Sequence, residues 1–338
     1  MKTTVALLLS IAIFISCSPI KQKVEQSSTI IDSTLQIKVD SILQNRLSEL
    51  DATAGQIIVM EVQTGEIKAS AGTELKPQES GLIRTASLLA ALETKTVQLS
   101  DTVDVNNGIL VIGKDTLLDH NWYRGGYGKI TIQQGFGVSS NIANYKTTQH
   151  TFKDAQTFSK VLAKYGYRVK DTSLIYNPLG YGVFTTPLQN LTFYNAIAQS
   201  TIGDKAAVNN IKRALEYTVT DGLAKPAMSD EVKIAGATGT IQLPNGEYAV
   251  EFCGYSPADN PQYSVIVSIN KKDKPASGGL MAGTVFKQIA ELMMEEECAD
   301  VESLEFWTAD TILKANRELV ELISPLYKYV HTDSLSSL

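Results

Sequence analysis

The chain has 338 residues, 43% hydrophobic and 20% charged, with 36 acidic against 30 basic side chains and a net charge of −6. Apolar content on that scale supports a buried core and excludes a disordered tail protein, and the acidic balance excludes a nucleic-acid-binding surface. Three cysteines and three histidines, widely scattered, make neither a disulfide framework nor a metal site, and no cofactor motif is present.

Residues 1–16 read MKTTVALLLSIAIFIS, with Lys2 ahead of an apolar run from Val5 to Ile15 broken only by Ser10. The run is too short for a bilayer-spanning helix of about 20 residues but suits an export signal. Cys17 comes directly after it. The segment resembles a bacterial lipoprotein signal, with Phe14 where leucine is usual three places before the cysteine. That resemblance implies lipidation at Cys17 and a membrane-anchored envelope lipoprotein on the periplasmic or outer-membrane side. The alternative is an ordinary signal peptide cleaved near Ser16, leaving a free thiol. Residues 17–30 are mostly polar and read as a tether.

A folded domain is expected over 31–297. Ile31, Leu35, Val39, Ile42, Leu43 and Leu47 recur at helical spacing. Gln56–Val62 is a β-branched strand, and Gln63-Thr64-Gly65 turns it into a second strand, Glu66–Ser70. Helices are expected over Ile83–Lys95, Thr131–Tyr145, Phe152–Tyr165, Pro187–Gln199, Asn209–Thr220 and from Met281 to Glu297. Tyr248–Cys253 and Tyr263–Ile269 alternate and flank a Pro- and Asn-rich turn, so they form an antiparallel hairpin. Strands at both ends with helices between imply an α+β domain whose sheet unites distant parts of the chain. Residues 298–338 are a tail with a further helical pattern, Leu304–Tyr329.

Several stretches are similar to one family. Ile31-Asp32-Ser33-Thr34-Leu35-Gln36 and Gly55–Ile67 look like the opening of a penicillin-binding protein transpeptidase domain. Leu88–Glu93 matches the helix that carries its nucleophile, and Ser139-Ser140-Asn141 its Ser-x-Asn motif. Gly180–Gln189 is similar to a segment of the class B members, Ala237-Thr238-Gly239-Thr240 to the Lys-Thr-Gly strand, and Phe252–Pro261 to the family's next segment after that strand. The resemblance implies the penicillin-binding and serine β-lactamase-like fold, an antiparallel sheet flanked by helices, and D,D-transpeptidase ancestry.

The family acylates the serine of a Ser-x-x-Lys motif. In this register the serine position is Gly81, the lysine is Arg84 and the third lysine is Ala237. Gly81 supplies no nucleophile, and a guanidinium does not act as a general base. A one-residue slip would place Ser80 and Arg84 on one helical face, still without a neutral amine. Ser87 reads as a hydroxyl on the helix body, His120 as a loop residue, His150 as lying at a helix start and His331 as lying in the tail. No catalytic residue is expected.

Ser139, Asn141, Thr238, Gly239 and Thr240 are the retained candidates for ligand binding, Thr238–Thr240 as a strand edge for an extended peptide. The competing readings are a helix cap or turn for Ser139 and Asn141, and a packed strand for Thr238–Thr240 with Gly239 needed for close approach. Cys253 reads as a small buried hydrophobe or a partner for Cys298.

Three functions are compatible with these residues. The first is a lipid-anchored, inactive transpeptidase-like accessory in cell-wall biogenesis that binds a peptidoglycan stem peptide or an envelope protein. The second is an active transpeptidase with non-standard catalytic residues. The third is a structural envelope lipoprotein with a vestigial cleft.

Overall fold

The structure, a computed structural model, describes residues 33–295. The signal, the tether with Cys17, Cys298 and the tail lie outside the described residues. In chain order the elements begin with α1 (Ser33–Glu49), β1 (Ala52–Glu61), β2 (Ile67–Gly72), β3 (Gln78–Glu79) and α2 (Ile83–Glu93). Four short strands come next: β4 (Thr102–Asp104), β5 (Ile109–Ile112), β6 (Asp115–Leu118) and β7 (Lys129–Thr131). They lead to α3 (Ile132–Gly137), α4 (Asn141–Thr151), α5 (Ala155–Lys164), β8 (Arg168–Val169) and β9 (Val183–Thr185). Two longer helices, α6 (Pro187–Gln199) and α7 (Lys205–Thr220), lead into β10 (Ala235–Gln242), β11 (Tyr248–Ser256) and β12 (Tyr263–Lys271). A π-helical turn, Gly279–Gly283, opens the last helix, α8, over 284–295.

The main sheet has the order β10-β11-β12-β1-β2 and is antiparallel throughout. The chain's first strands thus lie beside its last, as the α+β reading requires. Both faces are covered. Ile57, Val59, Val250, Phe252, Val265 and Val267 face α1 and α8 and pack with Leu35, Val39, Leu43, Phe286 and Ile289. Ile58, Met60, Cys253, Tyr255 and Ile266 face the other way, against α2, α6 and α7. A sheet buried on both sides needs apolar residues at every position, so Gln56–Val62 reads as a run and not an alternation. Burial of each large apolar side chain contributes about 1.5–3 kcal/mol.

Local chemistry fixes several boundaries. α6 starts where Thr186 accepts from Gln189 N, Gln189 reaches back to the Thr186 backbone, and Pro187 occupies the first turn. The expected helix Thr131–Tyr145 is two helices, α3 and α4. Between them Ser139 sits at φ 52, a left-handed conformation no helix propagates. Ser140 then caps α4 by accepting from Ala143 N. His150 lies in the last turn of α4, not at a helix start. The expected helix Asn209–Thr220 starts a turn earlier, at Lys205, because Asp204 caps it.

Candidate functional site: the cleft between the sheet edge and α2

β10 ends the sheet, and the segment leading into α2 lies directly against it. The contact is made at Gly81. A Cβ added there would stand 2.8 Å from Thr240 N and 3.0 Å from Gly239 Cα, both backbone atoms. Glycine is what lets the two backbones approach this closely, and a side chain at the position where the family places its nucleophile would force one of them to shift. Gly239 is the matching half of the contact. A Cβ there would lie 2.9 Å from Glu251 Oε2 and 3.2 Å from Leu82 N. Its role is therefore close packing.

A buried carboxylate fills the space beneath. Glu251 on β11 is 2% exposed and pairs in register with Gly239 and Ser268. Ser80 Oγ donates to Glu251 Oε2 at 2.5 Å and Ser268 Oγ to Glu251 Oε1 at 3.1 Å. The backbone N–H of Gly81 also bonds to this carboxylate. Asn190 Nδ2 on α6 donates to Ser80 Oγ at 3.1 Å, which in turn accepts from Leu82 N. Burial pushes the Glu251 carboxyl up to about 7, against the lowering effect of the Ser80, Ser268 and Gly81 hydrogen bonds. The carboxylate thus ties the start of α2 to the sheet. Ser80 is fully buried, which removes the one-residue slip as a source of nucleophile.

Arg84, in the first turn of α2, faces the Ser-x-Asn segment. Its Nη2 donates to Asn141 Oδ1 at 2.5 Å and its Nη1 to Ser139 O at 3.4 Å. Asn141 Nδ2 donates in turn to Leu118 O at 2.6 Å. Burial draws the guanidinium down to about 10, with Tyr181 and Asp119 pulling it back up, so it is a cation at neutral pH. Asp119 is fully buried and accepts from Ser140 Oγ at 2.8 Å and Ile142 N at 3.1 Å. This fastens α4 under the cleft. Burial raises the Tyr181 phenol, which Arg84 partly offsets, so Tyr181 stands at the Arg84 side of the cleft.

The structure therefore brings Gly81, Arg84, Ser139, Asn141, Gly239 and Thr240 together around the first turn of α2. Thr240 is exposed, and its hydroxyl accepts from Gly278 N at 2.9 Å. Thr238 lies on the opposite face of β10 from Gly239, close to the position a Cβ on Gly279 would take. Ala237 pairs with Cys253 and belongs to the apolar cluster beneath α2. Cys253 is a buried thiol. The hydroxyl of Ser87 bonds to Ile83 O and Pro178 O, as a helix-body hydroxyl does.

Sequence reasoning missed Glu251. The available signal was a charged residue between Val250 and Phe252 in a strand whose two faces are both apolar. Chemically, the site offers hydrogen-bond donors, one cation and a strand edge. Acyl transfer needs a nucleophile with an adjacent base, and this geometry supplies neither at position 81.

The model of the penicillin binding protein transpeptidase domain matches residues 55–291. Over 100 residues the chain is 31% identical to stage V sporulation protein D of Bacillus subtilis (strain 168), covering 28% of this chain and 16% of that protein's length. A peptidoglycan glycosyltransferase structure from Burkholderia ambifaria superposes with a TM-score of 0.70 at 22% identity, over 79% of this chain and 97% of the other. The transpeptidase domain of the FtsI4 D,D-transpeptidase from Legionella pneumophila superposes with a TM-score of 0.61 at 23% identity, over 79% and 98%. At these identities the superpositions establish the shared fold. The family match runs from β1 into α8 and includes Gly81, Arg84, Asn141 and Thr240: the chain belongs to the penicillin-binding protein transpeptidase domain family.

Proposed function

We propose that this protein is a lipid-anchored, non-acylating transpeptidase-like accessory of the cell envelope that recognises a peptidoglycan stem peptide reversibly. The observation that carries the reading is the close packing of Gly81 against Thr240 and Gly239, with Glu251 holding the Gly81 amide beneath. The anchor rests on Cys17 and its preceding apolar segment, and the accessory role on the loss of chemistry in a retained fold.

What remains favours binding. β10 is a terminal strand, Thr240 is exposed on it, and Arg84 and Asn141 stand across from it. An extended peptide pairing with such an edge gains main-chain hydrogen bonds. Ala237 replaces the lysine that would face a terminal carboxylate. A lost charge-assisted bond of about 1.5–3 kcal/mol weakens binding roughly tenfold to hundredfold.

NMR titration with a stem peptide ending in D-Ala-D-Ala tests this reading. Reversible shifts at Arg84, Asn141 and Thr240 are expected. No shift at millimolar peptide would leave the cleft vestigial, and a covalent product would make the protein an enzyme. For the anchor, Cys17→Ala is expected to leave the membrane fraction or accumulate as precursor. A variant that fractionates and migrates like the wild type would exclude lipidation.

A further inference from the structure

α1 and α8 cover the same face of the main sheet, and a groove of about 730 Å³ lies between them. Its walls include Ile37, Ile42 and Arg46 from α1 and Val285, Leu292 and Glu295 from α8. Arg46 fixes the two helices to each other. From the last turn of α1 its Nε donates to Met281 O at 3.0 Å and its Nη2 to Leu280 O at 2.6 Å, both in the turn that opens α8. Ile37 is 70% exposed and points away from Leu35, Val39 and Leu43, which hold α1 to the sheet. Ile42 and Leu292 are only partly covered by the core beneath them. The groove is thus a rigid trough with apolar walls that the described residues leave open.

The described residues end at Glu295, which itself lines the groove. Residues 296–338 continue from there. Within them Ile312, Ala315, Leu319 and Leu322 are spaced by three, four and three, which places them on one stripe of a helix. Ile323 widens the stripe, and Lys314, Arg317 and Glu321 fall on the opposite side. Pro325 closes the run, since the residue before a proline avoids the helical conformation. A helix over 312–323 would be about 18 Å long, the same as the wall that α8 offers over 284–295. Alone in water a helix of that length is marginal, so its apolar stripe needs a surface to cover.

We propose that residues 312–323 form an amphipathic helix that docks in the α1–α8 groove of the same molecule, with its apolar stripe against Ile37, Ile42, Val285 and Leu292. Attachment selects the chain's own tail over any other occupant. Residues 296–303, ahead of the helical pattern, reach at most about 28 Å, and links of about 2–8 residues are usual between packed helices. A link this short holds the tail at an effective concentration on the order of millimolar. A second copy of the chain, or an envelope partner, present at micromolar levels must bind on the order of a thousandfold more tightly to take its place. The docking is independent of the cleft and of what the cleft binds.

Hydrogen exchange read by mass spectrometry on the full chain tests this. The amides of 312–323 are expected to exchange at least a hundredfold more slowly than in an unstructured peptide, at every protein concentration. Ile37→Arg in the groove and Leu319→Arg in the tail should each cut that protection at least tenfold. The amides of β1 should stay as protected as in the wild type, which reports that the domain is folded; Ile37 is exposed and Leu319 lies in the tail, so neither change touches the core. Tail amides that exchange at the unprotected rate would overturn the proposal, as would protection that survives either substitution. Protection lost on dilution, with a dimer in sedimentation, would also overturn it and would make a second copy the occupant.

Discussion

Gly81→Ser restores, on paper, the hydroxyl that the family uses, and the structure predicts that it fails on two counts. The new Cβ would stand 2.8 Å from Thr240 N, 3.0 Å from Gly239 Cα and 3.3 Å from Gly239 C. These are backbone atoms of a strand paired with β11 residue by residue from Ala235 to Gln242, so no side-chain rotation relieves the clash. Either β10 or the start of α2 must shift, which disturbs the Ser80–Glu251 bond. Overpacking of this kind costs about 1–3 kcal/mol. With a urea m-value near 3 kcal/mol/M, the unfolding midpoint falls by roughly 0.3–1 M. Lys76→Ser, in an exposed loop, serves as the control and should move it little. The variant should also remain unacylated, because Arg84 is no base. A Gly81→Ser protein as stable as the wild type and labelled by a penicillin would refute the packing argument and the loss of chemistry together.

Glu251 confers a pH dependence on stability. Its carboxyl is raised from 4.5 to about 7, so the folded protein holds that proton more tightly than the unfolded chain does. The resulting contribution is fully present below about 4.5 and is lost as the pH climbs through 7. At about 1.36 kcal/mol per pH unit, the loss is on the order of 3 kcal/mol. Urea melts of the wild type at pH 5 and pH 8 should show that decline, and Glu251→Gln should flatten it; equal slopes in the two proteins would refute the assignment. Ser140→Ala removes the cap of α4 and a donor to buried Asp119. It should cost about 1–2 kcal/mol in the same assay, and an unchanged midpoint would show that the cap is redundant.

Much of the fold was legible because local chemistry and long-range pairing agree. Thr186-Pro187-Leu188-Gln189 carries its own start signal, and α6 begins there. The Tyr248–Cys253 and Tyr263–Ile269 strands pair antiparallel across their Pro- and Asn-rich turn, as expected. The contact of Gly81 with Gly239 and Thr240 joins two segments that the resemblance had already put in register through Leu88–Glu93 and Thr238–Thr240. Glu251 was not legible, because its meaning depends on Ser80, 171 residues away. In β12, Ser264 and Ser268 resemble a solvent-facing row, yet both are buried and bond to Asn195 and Glu251. The break at Ser139 was hidden because polar residues are compatible with both a helix and a cap, and only its backbone conformation decides. Ala237 shows the reverse: its identity was informative, while its burial in the apolar cluster under α2 came only from the packing.

The central claim is that a family member has lost acylation because Gly81 closes onto β10 and Glu251 holds the amide beneath it. Intact-mass measurement of the purified protein after prolonged incubation with excess penicillin tests this most directly. The account predicts an unchanged mass at pH 5 and at pH 8. A stable gain of one β-lactam mass, mapped to any residue lining the cleft, would contradict it.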